Sequence, residues 1–293
     1  MSKVSFVVPV YNVPLAYLSS CLYSIIEGAK HLDHEIIVCD DGSNKVYSDL
    51  YGKLIASLSD IVFISLGSNK GINHARNACL DVSNGDWIAL VDADDAVTSD
   101  FGMQIKPYLS KDFALIYADH IQYRQDLIHP IQVRKKRIYN NLLQEYGGSE
   151  MDPLLWSTFI FHPQIFNKDA LVCVNGFNTR YSSGDEVAAH IAISEIFGKE
   201  SLFHIPDFLY KYRKNTESVV HDGKYYNELI SNIESILSHY FSKRSGFKSI
   251  AQRIGRCTST QAAHYSHVPV GGKPVCLPWF DSRSMSISYN KRL

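Results

Sequence analysis

The chain has 293 residues, 45% of them hydrophobic. That suffices for one large domain or two modest ones without disulfides or a structural metal, so disordered, collagen-like and mini-protein classes are excluded. Lys and Arg total 29 against 30 Asp and Glu, a formal charge of -1, so no overall field selects nucleic acid or an anionic membrane, and any polyanion binding is local.

Residues 4–10 form a continuous apolar run ended by Tyr11-Asn12, and beyond Pro14 the residues Leu15, Leu18, Leu22, Ile25 and Ile26 share one helical face. A second apolar run, 35–39, closes on Asp40-Asp41-Gly42-Ser43 and is followed by Val46, Leu50, Leu54 and Leu58 at helical spacing. A third strand at 61–65 leads through Gly67 and Gly71 to a helix over 72–82. A fourth, 87–91, stops at Asp92-Ala93-Asp94-Asp95. Unbroken apolar strands alternating with amphipathic helices predict a parallel sheet covered on both faces, with ligands at the strand C-terminal ends. Such a topology brings the four polar clusters to one sheet edge.

Beyond Phe113 the alternation breaks down. Strand-like pieces at 115–118 and 157–161, a basic run at 134–137, and a helix over 186–197 predict a mixed, partly antiparallel half. Residues 225–240 read as a helix and 243–264 as a basic helical stretch, whose cations form a solvated face or a contact to an anionic acceptor. Residues 267–293 show no period. The six cysteines are scattered without a Cys-x-x-Cys pair, so a reduced, cytosolic protein is expected, with membrane contact at most peripheral, at the inner face. No apolar segment approaches the roughly 18 to 20 residues that cross a bilayer, and the opening apolar run reads as a buried strand rather than a signal peptide.

Three carboxylates within residues 92–95 repel one another unless a cation is present, and hard Mg²⁺ or Mn²⁺ suits carboxylate and phosphate oxygens. The plain alternative is an acidic cap on the helix near Phe101. Asp40-Asp41-Gly42-Ser43 is likewise either a turn with Ser43 as cap or a carboxylate that receives a base N–H or ribose hydroxyl. The loop at 67–71, with Lys70 and Arg76, offers backbone donors and cations to phosphate, or is a solvated helix entry.

Together, Val8-Pro9-Val10-Tyr11-Asn12, Cys39-Asp40-Asp41-Gly42-Ser43, Asn69-Lys70-Gly71 with Ala75-Arg76-Asn77, and Gly85-Asp86-Trp87-Ile88 leading to Asp92-Ala93-Asp94-Asp95 resemble the family 2 glycosyltransferases in order and spacing. The likeness is close over residues 3–100 and looser to about 222. It implies an α/β GT-A fold: a Rossmann-like, mostly parallel sheet flanked by helices. A domain over 1–222 is then expected, divided into a nucleotide-sugar half (1–100) and a mixed acceptor half (101–222), with a C-terminal helical extension and tail over 223–293.

The same resemblance assigns roles. Pro9, Tyr11, Asn12 and Asp41 would meet the nucleobase, Lys70 and Arg76 the base or phosphate, Asp92 the ribose, and Arg213 or Lys214 the diphosphate. Asp94 and Asp95 would reach a Mn²⁺ or Mg²⁺ ion, the division between them open, with His221 a further ligand. The catalytic base falls in Gly184-Asp185-Glu186, where Asp185 is favoured over Glu186, although both also read as dipole-favouring charges of a first helical turn. The expected reaction is metal-dependent transfer, with inversion, from a nucleoside diphosphate sugar to a hydroxyl of a glycan, lipid-linked glycan or other glycoconjugate, with UDP the nucleotide the family uses most. A nucleotidyltransferase is an alternative, although Tyr11-Asn12-Val13-Pro14 stands where its Gly-rich basic loop would be. A non-catalytic binding relic is another.

Overall fold

A computed structural model describes residues 2–135, 154, 157, 158, 160–214, 223–245, 249–256 and 263–269. Four strands, β1 (Lys3–Val10), β2 (Asp33–Asp40), β3 (Ile61–Ser65) and β4 (Trp87–Leu90), pair in parallel in the order β3-β2-β1-β4. Between them run α1 (Leu15–Gly28), α2 (Lys45–Ala56) and α3 (Ile72–Val82). β5 (Ala96–Val97) and α4 (Phe101–Ile105) follow, then the longer β6 (Leu115–Tyr123) and β7 (Pro130–Arg134). Two residues, Ser157–Thr158, form β8; after it come β9 (Gln164–Asn167), α5 (Lys168–Cys173), α6 (Asp185–Phe197) and β10 (Leu202–Arg213).

The sheet continues β4-β9-β6-β10-β5, with β9 antiparallel to both β4 and β6, and β10 parallel to β6. Two antiparallel steps restore direction, so β6 and β10 point the same way as β4, and the C-terminal ends of six strands share one edge. This is the expected mostly parallel sheet with a mixed second half.

Alternation along β1 divides the core. Val4, Phe6 and Val8 pack with Leu18, Leu22 and Ile25 of α1 and Tyr51 and Ile55 of α2. Val7 faces the other layer, with Ala75 and Cys79 of α3 and Val187 and Ile191 of α6. The helix α7 (Gly223–Ser245) joins that second layer through Ile233, Ile236, Leu237 and Phe241. The expected boundary at 222 falls among residues 215–222, outside the described ones.

The basic helical stretch expected over 243–264 is corrected by the structure: α7 stops at Ser245, and β11 (Ser249–Arg256) and β12 (Ala263–Pro269) make a hairpin whose far strand pairs with β8. Ile250, Ala251 and Ile254 mimic a helical period, but the antiparallel pairing decides the backbone. The tail beyond Pro269 lies outside the described residues, as do Lys136 and Arg137 of the basic run. Among the described residues no helix is long and apolar enough to cross a membrane, and Cys21, Cys39, Cys79 and Cys173 carry free thiols.

Candidate active site

At the shared edge, the loops after β1, β2 and β3 are interlocked by side-chain caps of backbone groups. Asp41 is buried, and its two oxygens accept from the Lys70 and Gly71 N–H groups, each at 2.8 Å. Asp40 Oδ1 accepts from Ser43 N–H at 2.9 Å, while the buried Oδ2 has no hydrogen-bond partner. Ser43 Oγ accepts from Asn12 N–H, and Asn12 Oδ1 from Asn44 N–H, both at 2.9 Å. Asn44 in turn caps α2 by accepting from Tyr47 N–H at 3.2 Å. Pro9 is partly buried, whereas Tyr11 is exposed beside this lattice and the Lys70 side chain is open to solvent.

The acidic loop after β4 divides its three carboxylates by environment. Asp95 is buried, its Oδ1 accepting from the Arg213 N–H at 2.7 Å while its Oδ2 has no hydrogen-bond partner. Burial pushes its carboxyl well above the usual range, Asp94 and Asp92 adding to the effect. Asp94 keeps partial exposure, and burial with the neighbouring Asp92 raises it to about 6. Of the two candidate metal ligands, then, Asp94 keeps access to solvent and Asp95 is committed to the fold. The remaining candidate, His221, lies outside the described residues.

Arg213, expected at the diphosphate, is buried. Its Nε donates to the Asp94 carbonyl, one terminal nitrogen donates to the Gln125 carbonyl, and its guanidinium lies 4.0 Å from the centre of the Tyr17 ring. It therefore braces the acidic loop against β10 and the β6–β7 turn.

Helix α3 presents Asn73, Arg76 and Asn77 on one face, as i, i+3, i+4 spacing requires. Asn73 Nδ2 donates to the Tyr181 carbonyl at 2.6 Å and the Asn178 carbonyl at 3.2 Å. Asn77 clamps Phe177 with both halves of its amide, donating to the carbonyl at 2.8 Å and accepting from the N–H at 2.9 Å. Arg76 is 2% exposed. Its guanidinium donates to Glu186 Oε1 at 2.7 Å, stands 3.8 Å from Asp92 Oδ1, and lies 5.5 Å from the centre of the Phe177 ring. Expected at the base or phosphate, it joins two carboxylates of this edge. It thereby brings the segment that opens α6 to the acidic loop.

Gly184, with φ at 75°, precedes Asp185, the first residue of α6. A Cβ at Gly184 would stand 2.8 Å from Ile233 of α7, so only glycine admits this approach. Burial pushes the Glu186 carboxyl up, but the attraction of Arg76, aided by His162, prevails and holds it at about 2.

His162 is the site residue that sequence reasoning missed. Its Nε2 lies 3.5 Å from Asp92 Oδ2 and its Nδ1 3.3 Å from the Leu90 carbonyl. Its ring stacks on Tyr210, 5.5 Å between centres, and the Tyr210 hydroxyl accepts from Asp92 N–H at 3.0 Å. A lone His-Pro before a strand carries no signal of this; strand pairing far along the chain makes the site.

The donor chemistry at Asp92 and Asp94 fits a hard divalent ion, whose charge would offset the burial and the crowding that together lift Asp94, with substrate oxygens completing the shell. Among the described residues no three His, Cys, Asp or Glu side chains group as a self-sufficient metal site.

Residues 5–174 match the model of glycosyl transferase family 2. A glycosyltransferase, GlyA, of Streptococcus pneumoniae is 36% identical over 103 residues, 34% of this chain and 14% of that protein. A PGL/p-HBAD biosynthesis glycosyltransferase of Mycobacterium bovis is 26% identical over 180 residues, 60% of this chain and 64% of the relative. The chain thus spans less than two thirds of either relative. Among solved structures, Staphylococcus aureus TarS 1-349 in complex with UDP superposes with a TM-score of 0.54 at 16% identity, covering 84% of this chain and 72% of that one. The mannosyltransferase PcManGT from Pyrobaculum calidifontis, in complex with GDP-Man and Mn2+, gives 0.57 at 18% identity, covering 84% and 64%. At these identities the likeness is one of fold.

Proposed function

Because the chain belongs to glycosyl transferase family 2, we propose that it transfers a sugar from a nucleoside diphosphate sugar, UDP-linked in the first instance, to an acceptor hydroxyl with inversion at the anomeric carbon. The observation that carries this reading is the Arg76 bridge, which holds the strand-end acidic loop and the opening of α6 together at one sheet edge. TarS has been crystallised with UDP and PcManGT with GDP-Man and Mn2+, which supports a nucleotide-sugar donor here. Family membership sets aside the nucleotidyltransferase alternative.

In this mechanism the loops of Tyr11, Asn12 and Asp41 receive the base, and Asp92 receives the ribose. Asp94, beside Asp92, would hold Mn²⁺ or Mg²⁺; bound there, such an ion supplies charge neutralisation to a departing diphosphate. Asp185 takes the proton of the acceptor hydroxyl, and one base suffices for a single displacement. What supports Asp185 over Glu186 is basicity: a carboxylate held at about 2 by Arg76 is a poor proton acceptor near neutral pH. The domain proposed for this activity spans residues 1–222, with 223–293 an extension packed on it.

The first test is calorimetric titration of the protein with UDP, GDP, CDP, TDP and ADP, each with and without Mn²⁺, followed by donor turnover. Metal-dependent binding of one nucleotide is expected. Asp185→Asn should then lower turnover by a factor on the order of 10² to 10⁴ with nucleotide affinity unchanged. Wild-type turnover in that variant removes Asp185 as the base, and turnover absent from the wild type itself makes the protein the binding relic.

A further inference from the structure

Asp92 is held from three directions by residues distant in sequence. Arg76 of α3 stands 3.8 Å from Oδ1, His162, just before β9, stands 3.5 Å from Oδ2, and the Tyr210 hydroxyl of β10 receives the backbone N–H at 3.0 Å. The Asp92 side chain is 30% exposed, against 3% for Arg76 and 14% for His162, so of the three it is the most open to solvent. A carboxylate that binds a ligand from a loop must be denied its other rotamers before the ligand arrives, or the ligand must supply the ordering free energy. Arg76 alone cannot do this: it is shared with Glu186, its nearer partner by about 1 Å.

We infer that His162 is a positioning residue of the donor site, fixing the Asp92 carboxylate by a contact to Oδ2 opposite the one Arg76 makes to Oδ1. Its own placement is over-determined. The Leu90 carbonyl lies at 3.3 Å from Nδ1, and the ring lies nearly flat against Tyr210, with 24° between planes. Tyr210 is itself fully buried, so the ring has a rigid wall behind it. Because β9 pairs antiparallel with β4, Gln164 opposite Leu90, the chain entering β9 arrives at the edge where β4 delivers Asp92. That pairing accounts for a histidine in this place. The inference rests on the donor reading of Asp92 given above.

The test is a double-mutant cycle in nucleotide affinity, read by calorimetry with UDP and Mn²⁺ on the full chain. His162→Phe keeps a ring to stack on Tyr210 and removes the nitrogen facing Asp92; His162→Gln restores an N–H donor. His162→Phe is expected to weaken binding about 5- to 20-fold, corresponding to a coupling of about 1 to 2 kcal/mol between touching residues. His162→Gln should recover most of the loss, and Asp92→Asn/His162→Phe should bind no more weakly than Asp92→Asn alone. Urea denaturation of His162→Phe, run alongside, separates a merely structural role, which lowers stability and leaves affinity untouched. Wild-type affinity in His162→Phe, or additive losses in the double variant, overturns the inference while the donor reading stands. A wild-type chain that binds none of the nucleotides overturns both.

Discussion

Arg76 carries a full charge with almost no access to water, and the free energy of that burial is compensated by carboxylates rather than by solvent. Removing one partner of such a pair leaves the other uncompensated, which costs about 3 to 5 kcal/mol, toward the lower figure here because Glu186 retains 20% exposure. Arg76→Met is therefore expected to destabilise strongly in urea denaturation, and Arg76→Met/Glu186→Leu less than Arg76→Met alone, since the double variant does not leave the Glu186 charge without its nearer partner. The pH dependence follows from the sign of the Glu186 shift. Its carboxyl sits at about 2 in the fold, below its ordinary value near 4.3, so the stabilisation is complete above that ordinary value and is lost as pH falls toward 2. The stability gap between wild type and Glu186→Gln should accordingly be constant from pH 6 to 8 and narrow between about pH 4 and 2; a gap unchanged at pH 3 would mean that the pair contributes packing rather than charge.

Among the elements, the loop after β2 depends on one glycine. Gly42 has φ of +72°, and a Cβ there would stand 2.2 Å from the Ser68 carbonyl carbon and 2.4 Å from Asn69 N. Gly42→Ala must displace the 67–71 loop, whose Lys70 and Gly71 N–H groups hold Asp41, at a cost of about 1 to 3 kcal/mol in backbone strain. Its melting temperature and its nucleotide affinity should fall together; a loss of stability with affinity intact would separate Asp41 from nucleotide binding.

This level of organisation was legible in the sequence, because parallel strands buried on both faces are written as unbroken apolar runs and the polar residues that end them have nowhere to go but the sheet edge. What was not legible is non-local. Asp94 and Asp95 look alike in sequence, and an N–H 118 residues further on, at Arg213, separates the buried one from the accessible one. Nothing local to Arg76 predicts that Glu186 reaches it across 110 residues. Likewise the apolar spacing of β11 is helical, while the partner strand that overrides it starts at Ala263.

Among the described residues, the last helix packs into the core of the segment before it. Ile236 and Leu237 of α7 are fully buried, and with Ile233 and Phe241 they share a core with Val187 and Ile191 of α6 and Phe166 of β9. The contact also reaches the site, because Ile233 and Leu229 fill the space beside Gly184, and Asn232 donates to Ser182 and Ser183 in the same turn. Four buried side chains at about 1.5 to 3 kcal/mol each are together comparable to a typical domain's net stability of about 5 to 15 kcal/mol. A chain ended at residue 222 would expose the α6 face and release the turn that positions Asp185. Such a chain is expected to aggregate or to melt without a cooperative transition in calorimetry, whereas Ile233→Ala in the full chain should fold with a loss of about 2 to 4 kcal/mol. A shortened chain that melts cooperatively near the full-length temperature and still binds nucleotide would make α7 an appendage. Failure to fold would make it the third side of the layer that holds α3 and α6 together, and so a part of the catalytic unit.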